Sequence, residues 1–570
     1  MRSMGGIAGR AAATLLAAGL LAPVLSLFLT AIQGTGENWP HLFAYVLPQA
    51  IQETVLLLAG VGVVVVVVGV GTAWLVTAFD FPGRRWLDAA LLLPLAVPTY
   101  VVAYAYLDLL HPLGPVQGGL RSLLGLARPR DLVFPELRSL PSCILLLGLV
   151  LYPYVYLPTR ALFLMQARSM IEAAKILEAS PARMFFRVVV PIARPAIALG
   201  ASLALMEALN DVGAAEFLGV RTLTVQVYAT WVNRSDLPGA AQIALAMLAG
   251  VLALLALERA GRAMRGHAGL GQRSPPMSRT RLQGGKAFAA MVLGWWPVLF
   301  GFALPAGYLA EAAIRRVLAS GLPPTLGREI TQTMLFAGGA TLVTAVLGVF
   351  VAASSGLVSP LPGRWLSRIA SLGYALPGTI LAVGLMPPLA LIDTASAHVL
   401  EATTGITVGL FGVGTATALV AAYVIRFLTI ATGATEAGFG RIPSSLTDAA
   451  CMLGSNRIGA LVRIQLPLAW PAILSGGLLV FVDCVKELPA TLLLRPLNVE
   501  TLSTHLYGEA ARGTYEDGAV AALLIVLVAL VPVVLLLRTS GEVARRPMAA
   551  IGQNAPDAIY ARSPSGAEAR

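Results

Sequence analysis

Repeated apolar runs of roughly 20 residues, almost free of charge, restrict the fold of this chain more than any other feature. Such a run is long enough for an α-helix to cross the hydrocarbon core of a bilayer. The runs are continuous and lack the alternation of apolar and polar residues that marks a transmembrane β-strand. Only helices and closed barrels satisfy their backbone hydrogen bonds in lipid, so helices are predicted.

The composition agrees with a chain that buries most of its surface in lipid. Hydrophobic residues make up 57% of the 570 residues and charged residues only 12%, against about 25% charged residues in soluble domains. We predict an all-α polytopic membrane protein with about 12 transmembrane helices.

The net charge of +11 is explained by membrane topology and does not predict a nucleic-acid partner. Most arginines lie in short loops between apolar runs, as Arg84 and Arg85 do, and basic loops stay in the cytoplasm. An even number of spans then places both termini in the cytoplasm. With this number of spans, the basic loop 111–140 lies outside the cytoplasm. We keep this topology because the preference of basic residues for the cytoplasmic side is weak in longer loops.

Cysteine and histidine do not predict a stable metal site. The three cysteines are scattered through or beside apolar runs, and the five histidines form no spaced cluster. His505 is interpreted as a loop residue.

An internal duplication divides the chain. Glu172 and Asp448 share their sequence surroundings, and "TLSTHLY" at 501–507 matches "TLTVQVY" at 222–228 in nearly the same register. We therefore predict two tandem, parallel halves of six helices each. The predicted boundaries are a first half at 1–257 with a core at about 51–257, a basic cytoplasmic linker at 258–287, a second half at 288–538 with a core at about 329–537, and a disordered cytoplasmic tail at 539–570.

Each half contains one polar segment between apolar runs, and we call these the motif segments: "EAAKILEASPARMFFRVVVP" (172–191) and "DAACMLGSNRIGALVRIQLP" (448–467). An acid at a helix start is favoured by the helix dipole. Gly454 suits a tight turn, and Pro191 and Pro467 suit the first turn of the next helix. Each segment is therefore expected to form a short helix, a turn, and an amphipathic stretch that leads into the next span.

The motif segments resemble the coupling motif of permease subunits of ATP-binding-cassette importers, which reads EAA, three residues, G, nine residues, I-x-L-P. In this chain Asp448 stands for the first Glu of the second copy, and in the first copy Glu178 replaces the Gly while Val188 and Val190 replace Ile and Leu. The resemblance implies a type I importer permease (MetI-like) core. It assigns ATPase coupling to Glu172, Ala173, Ala174, Glu178, Pro191, Asp448, Ala449, Ala450, Gly454, Ile464, Leu466 and Pro467.

Three further stretches resemble fused permeases of the ferric iron importer group: "PLAVPTYVVAYAYLDLL" (94–110), "LVLYPYVYLPTRALF" (149–163) and "FVDCVKELPATLLLRPLNVETL" (481–502). The resemblance implies a permease in a bacterial inner (plasma) membrane that receives substrate, ferric iron first of all, from a periplasmic binding protein. Thiamine, a phosphonate or a polyamine remain alternative cargoes.

The resemblance also implies two partner ATPase subunits, which would carry ATP and Mg. "GGK" at 284–286 lacks the other residues of a phosphate-binding loop, so this chain is predicted to be neither an enzyme nor a cofactor-binding protein. An ion-coupled secondary transporter is the alternative from another class, because such transporters also show repeats and buried acids. It would leave the paired motif segments unexplained.

Polar side chains within or beside the apolar runs are candidates for the substrate pathway, because ionisable groups are costly in lipid and usually face the interior of a helix bundle. The candidates are Asp108, Tyr104, Glu207, Asp211, Glu216, Asp483, Lys486 and Glu487. Their carboxylates suit transient contact with a hard cation. Alternatively, the acids pair with Lys486 or Arg495 and hold helices together.

Overall fold

The computed structural model describes residues 4–34, 39–176, 181–263, 279–357, 360–405 and 409–545. Among them are 10 helices long and apolar enough to cross a membrane, and two bent helix pairs raise the number to 12 if each pair is one span. This architecture confirms the predicted all-α polytopic fold.

The described residues between 4 and 263 form 13 α-helices. Their bounds are α1 Met4–Ile32, α2 Trp39–His41, α3 Leu47–Ala78, α4 Arg84–Ala90, α5 Thr99–Leu109, α6 Pro115–Leu124, α7 Leu140–Leu151, α8 Pro153–Ile176, α9 Pro181–Met184, α10 Val190–Asn210, α11 Gly213–Phe217, α12 Leu223–Tyr228 and α13 Leu237–Ala263.

The described residues between 279 and 545 form another 13. They are α14 Gly284–Val298, α15 Leu304–Ser320, α16 Leu326–Leu357, α17 Pro360–Ala370, α18 Leu372–Ala375, α19 Gly378–Thr404, α20 Ala416–Phe439, α21 Ser444–Met452, α22 Arg457–Ala460, α23 Leu466–Lys486, α24 Pro489–Leu494, α25 Leu502–Arg512 and α26 Tyr515–Arg545. Single π-helical turns precede α10 at Phe185–Val189 and α23 at Leu461–Gln465, which are equivalent positions of the two copies.

Two observed boundaries differ from the sequence-based ones. The predicted linker at 258–287 is helical at both ends, because α13 continues to Ala263 and α14 begins at Gly284. Between them, strand β2 (Thr280–Arg281) pairs in parallel with β1 (Phe79–Asp80). The predicted disorder from residue 539 is wrong at its start, since α26 continues to Arg545; residues 546–570 lie outside the described part.

A proline breaks one helix of each half at equivalent positions. Pro98 precedes α5 with φ −57° and ψ 143°, and Pro377 precedes α19 with φ −55° and ψ 145°. Proline lacks the N–H that would continue the helical ladder. In the first half the axis bends by 91° at this break. Non-helical backbone at membrane depth must be buried in protein or line a cavity, so these breaks point to the interior of the bundle.

Close helix contacts depend on small residues, and Gly348 offers a test. A Cβ added there would lie 2.8 Å from Ala431 Cβ on α20, whereas one at Gly338 on the same helix would meet nothing within 4 Å. We expect Gly348→Ala to lower the free energy of unfolding by about 1–3 kcal/mol through overpacking. Thermal unfolding of the purified protein measures this. Gly338→Ala is the control, and equal unfolding temperatures for the two variants would contradict the packing.

Candidate coupling segments and central cavity

The second motif segment forms a helix, a glycine turn and a second helix. After α21, Gly454 adopts φ +91°, a left-handed conformation that favours glycine. The chain reverses there, and the Ser455 N–H donates to the Ala450 carbonyl at 3.0 Å. The side-chain oxygen of Asn456 then caps α22 by accepting the Gly459 N–H at 2.6 Å. The structure thus shows the predicted role of Gly454 in the turn.

The tip of this segment makes few contacts with the rest of the chain. Met452 and Leu453, next to the turn, are 89% and 90% exposed. Asp448 and Ala449 are also exposed, while Ala450 is buried. The other predicted coupling residues lie where the chain enters α23: Ile464 and Leu466 are half-buried, and Pro467 is exposed in its first turn. An exposed apolar tip beside polar side chains is suited to bind another protein.

The first motif segment begins differently. α8 runs without a break through Glu172, Ala173 and Ala174, so the expected separate short helix is not seen there. The reason is local sequence: Gly440 and Pro443 end α20 and precede α21, whereas the first copy has Leu164 and Ala167 at these positions. The side chains at 172–174, and Glu178 altogether, lie outside the described part.

From residue 181 the two segments agree. α9 corresponds to α22, and α10 to α23, in one constant register. Pro191 lies in the first turn of α10, as Pro467 does in α23.

A cavity of about 110 Å³ lies between the halves, next to the break at Pro98. Five of the candidate pathway residues line it: Glu207, Asp211, Asp483, Lys486 and Glu487. Asp211 and Glu487 occupy equivalent positions after α10 and α23. Asp211 Oδ1 accepts the Ala214 N–H at 2.9 Å, and Glu487 Oε1 accepts the Ala490 N–H at 3.0 Å. Both acids therefore cap the short helix that follows them.

Arg426 is the cavity residue that sequence reasoning missed. Its Nη1 lies 3.4 Å from Glu487 Oε1 and donates to Asn210 Oδ1 at 3.2 Å. It therefore joins α20 of one half to the end of α10 of the other. The sequence does contain a feature that could have identified Arg426. It is a single charge inside an apolar run, and such a charge is costly in a membrane unless it is paired. The first half has Val150 at the equivalent position, so Asp211 has no counterpart of this arginine.

The remaining charged groups of the cavity are partly paired. Lys486 Nζ lies 2.8 Å from Asp483 Oδ1, and Tyr374 donates to Glu207 Oε1 at 3.2 Å. The structure thus shows an acid paired with Lys486, but both residues lie on α23, so this pair does not hold two helices together. Among the described residues that line the cavity, four carboxylates face two basic groups, so the cavity favours a cation over an anion.

Three predicted pathway residues are not among those that line this cavity. Asp108 Oδ2 accepts the Tyr308 hydroxyl at 2.6 Å, and Tyr104 donates to the Tyr515 carbonyl. Glu216 Oε2 accepts the Tyr507 hydroxyl at 2.6 Å.

Glu216 and Tyr507 belong to a contact between the halves beyond the ends of α10 and α23. The Tyr507 ring stacks on Phe217, with centroids 5.6 Å apart, and meets Tyr228 edge-on at 6.0 Å. Burial raises the pKa of the Glu216 carboxyl, and the hydrogen bond from Tyr507 opposes this rise. These aromatic rings lie beyond the ends of α10 and α23, on the side of the bundle away from the motif segments.

A duplicated helical bundle with an exposed motif segment and a charged cavity between its halves is typical of a membrane transport permease. The chain belongs to the family described as binding-protein-dependent transport system inner membrane component, whose model matches residues 65–261 and 322–541. It is thus a multi-pass inner-membrane protein.

Curated relatives include permeases for several cargoes. The chain is 22% identical over 526 residues to the Fe(3+)-transport system permease protein FbpB 2 of Haemophilus influenzae, covering 91% of this chain and 95% of that protein. It is 32% identical over 183 residues to the putative 2-aminoethylphosphonate transport system permease protein PhnU of Salmonella paratyphi A, covering 31% of this chain and 62% of the relative. It is also 32% identical over 196 residues to the sulfate transport system permease protein CysW of Escherichia coli, covering 34% and 64%.

Proposed function

We propose that this chain is the fused permease of an ATP-driven importer that carries ferric iron from a periplasmic binding protein into the cytoplasm. Two partner ATPase subunits would bind the motif segments 172–191 and 448–467 and supply ATP, Mg and all of the hydrolysis. The observation that carries this proposal is the duplicated motif segment, whose second copy presents an exposed turn at Gly454.

The charge of the central cavity supports a cationic cargo. Ferric iron is a hard cation that prefers oxygen ligands. Asp211 is the leading candidate for contact, because Glu487 already pairs with Arg426 and Asp483 with Lys486. Such contacts are few and weak, as a transport pathway requires if its cargo is to leave. A phosphonate or sulfate would meet an excess of carboxylates, so we prefer iron to these anions. Thiamine and a polyamine are cations as well and stay alternative cargoes.

Alternating access gives the mechanism. ATP binding would close the partner dimer and draw the motif segments together, which rotates the halves about the cavity. The aromatic contact between Phe217, Tyr228 and Tyr507 would then open to a binding protein on the periplasmic side, for which the loops 111–140 and 495–516 are candidate docking sites. Each ligand shifts this equilibrium only by its differential affinity for the two states.

The cargo and energy source can be tested together. In proteoliposomes with the partner ATPases and binding protein, radioactive iron uptake should require ATP and persist when a protonophore collapses the proton gradient. Uptake that follows the proton gradient and ignores ATP would favour a secondary transporter.

The substitution Asp211→Asn tests whether the cavity carboxylates contact the cargo. We expect iron uptake to fall on the order of tenfold, which corresponds to about 1.4 kcal/mol of lost interaction, while ATP-dependent association with the ATPase persists. Glu401→Gln, an exposed acid on α19 that is not among the residues lining the cavity, is the matched control. Unchanged uptake by Asp211→Asn would remove Asp211 from the pathway.

A further inference from the structure

A second group of ionisable side chains lies outside the cavity. Ligand atoms of Glu329, Glu500 and His505 all lie within 4.8 Å of one another. The interpretation of His505 as a loop residue is wrong, because it lies in the first turn of α25. Glu329 is only 1% exposed, and neither of its carboxylate oxygens accepts a hydrogen bond, although Oε1 lies 3.2 Å from His505 Nδ1. Burying a carboxylate that accepts no hydrogen bond costs free energy. We therefore expect the Glu329 carboxylate to bind a further partner.

The internal repeat shows that the surrounding backbone does not require these side chains. The Leu502 N–H donates to Thr333 Oγ1 at 2.9 Å, and at the equivalent place in the first half the Leu223 N–H donates to Thr54 Oγ1 at 2.9 Å. Both halves thus build the same contact between the start of a long helix and the start of a short one.

A second pair of hydrogen bonds confirms the register. The Glu500 N–H donates to Gln332 Oε1 at 2.9 Å, and the Arg221 N–H donates to Glu53 Oε2 at 2.6 Å. The donors and the acceptors of both pairs are related by the same shift in sequence number as Leu502 and Leu223.

In this register the first half replaces every member of the cluster. Ala50 corresponds to Glu329, Arg221 to Glu500, and Gln226 to His505. Ala50 is also 1% exposed. The second half therefore buries a carboxylate, Glu329, at the position where the first half buries only the methyl group of Ala50. The three potential ligands therefore occur together in one copy, and the contacts shared by the repeat do not account for them.

We propose that Glu329, Glu500 and His505 bind one transition-metal cation. Two carboxylates and one imidazole form a mixed oxygen and nitrogen ligand set, which suits Mn(II), iron or Zn(II). Three protein ligands leave coordination positions open to water or to a ligand that arrives with the metal. Arg495 Nη1 lies 3.8 Å from Glu500 Oε1 and offsets part of the negative charge of the cluster.

The site lies on the side of the membrane opposite the motif segments. α23 starts at the second motif segment and ends at Lys486, and Glu500 and His505 follow its far end. The proposal does not depend on the cargo assignment, because it rests on the ligand set, on the buried Glu329 carboxylate and on the comparison of the two halves.

Direct binding tests the site. Full-length protein in detergent, carrying Cys451→Ser to remove the exposed thiol, would be titrated with Co(II) and followed by its visible absorption, with Zn(II) as competitor. Glu329→Ala and His505→Gln introduce the residues of the first half, so both should fold. We expect one saturable Co(II) site in the parent protein and at least about tenfold weaker binding in each variant.

His398→Gln is the matched control, because His398 is exposed on α19 outside the cluster, and it should bind Co(II) as the parent does. Zn(II) should also raise the unfolding temperature of the parent and the control but not of the two variants. Glu500→Gln provides a third, milder variant if either of the others misfolds. Absence of a saturable site in the parent, or equal affinity in parent and variants, would overturn the proposal, whatever the outcome of iron transport.

Discussion

Substitution of Gly454 by glutamate should abolish ATP-dependent transport while the membrane domain stays folded. Any side chain at φ +91° is strained, and a charged one would also alter the exposed tip formed by Met452 and Leu453. Ala449→Glu should act similarly by placing charge on the exposed surface of α21. Co-purification with the ATPase subunits, and uptake in proteoliposomes, measure the loss.

Gly405→Glu is the control for this experiment. Gly405 also follows a helix, has φ +69°, and has open space around it, so a side chain there would cause comparable backbone strain on the side of the membrane away from the motif segments. It should retain ATPase association. If Gly454→Glu and Ala449→Glu also retain association and transport, the second motif segment does not couple the permease to an ATPase.

Substitution of Arg426 by methionine should produce the largest loss of stability. Glu487 is 4% exposed, and removing its arginine leaves a buried charge without an ionic partner, which costs roughly 3–5 kcal/mol. The link from α20 to Asn210 of the other half is lost as well. We expect a lower unfolding temperature and little transport.

A double variant separates the buried charge from the lost packing. Arg426→Met combined with Glu487→Gln removes both charges and should regain part of the stability. Arg315→Met is the control, because Arg315 and Glu311 form a surface ion pair in which both side chains are more than half exposed, and it should change stability by only about 0–1 kcal/mol. A loss for Arg426→Met as small as that of the control would show that the buried pair contributes little.

The helical fold, the duplication and the motif segments could be predicted because each depends on local sequence. Long apolar runs can cross lipid only as helices, and the constant register of the repeat already aligned Asp211 with Glu487. A tight turn was predicted at Gly454, because glycine adopts backbone conformations that strain other residues. By contrast, the continuous α8 depends on the absence of Gly and Pro near residue 165, which comparison of the copies could have shown.

The sequence by itself determined that this is a duplicated helical membrane protein with two motif segments. Only the tertiary structure decided which of the buried charges meet. Arg426 on α20 contacts Glu487 after α23 and Asn210 at the end of α10, and Glu329 on α16 meets His505 on α25, pairings that no local spacing reveals. The physical reason is that each span satisfies its own backbone hydrogen bonds within the helix, whereas a charge in a bilayer is compensated by partners that helix packing brings from elsewhere in the chain.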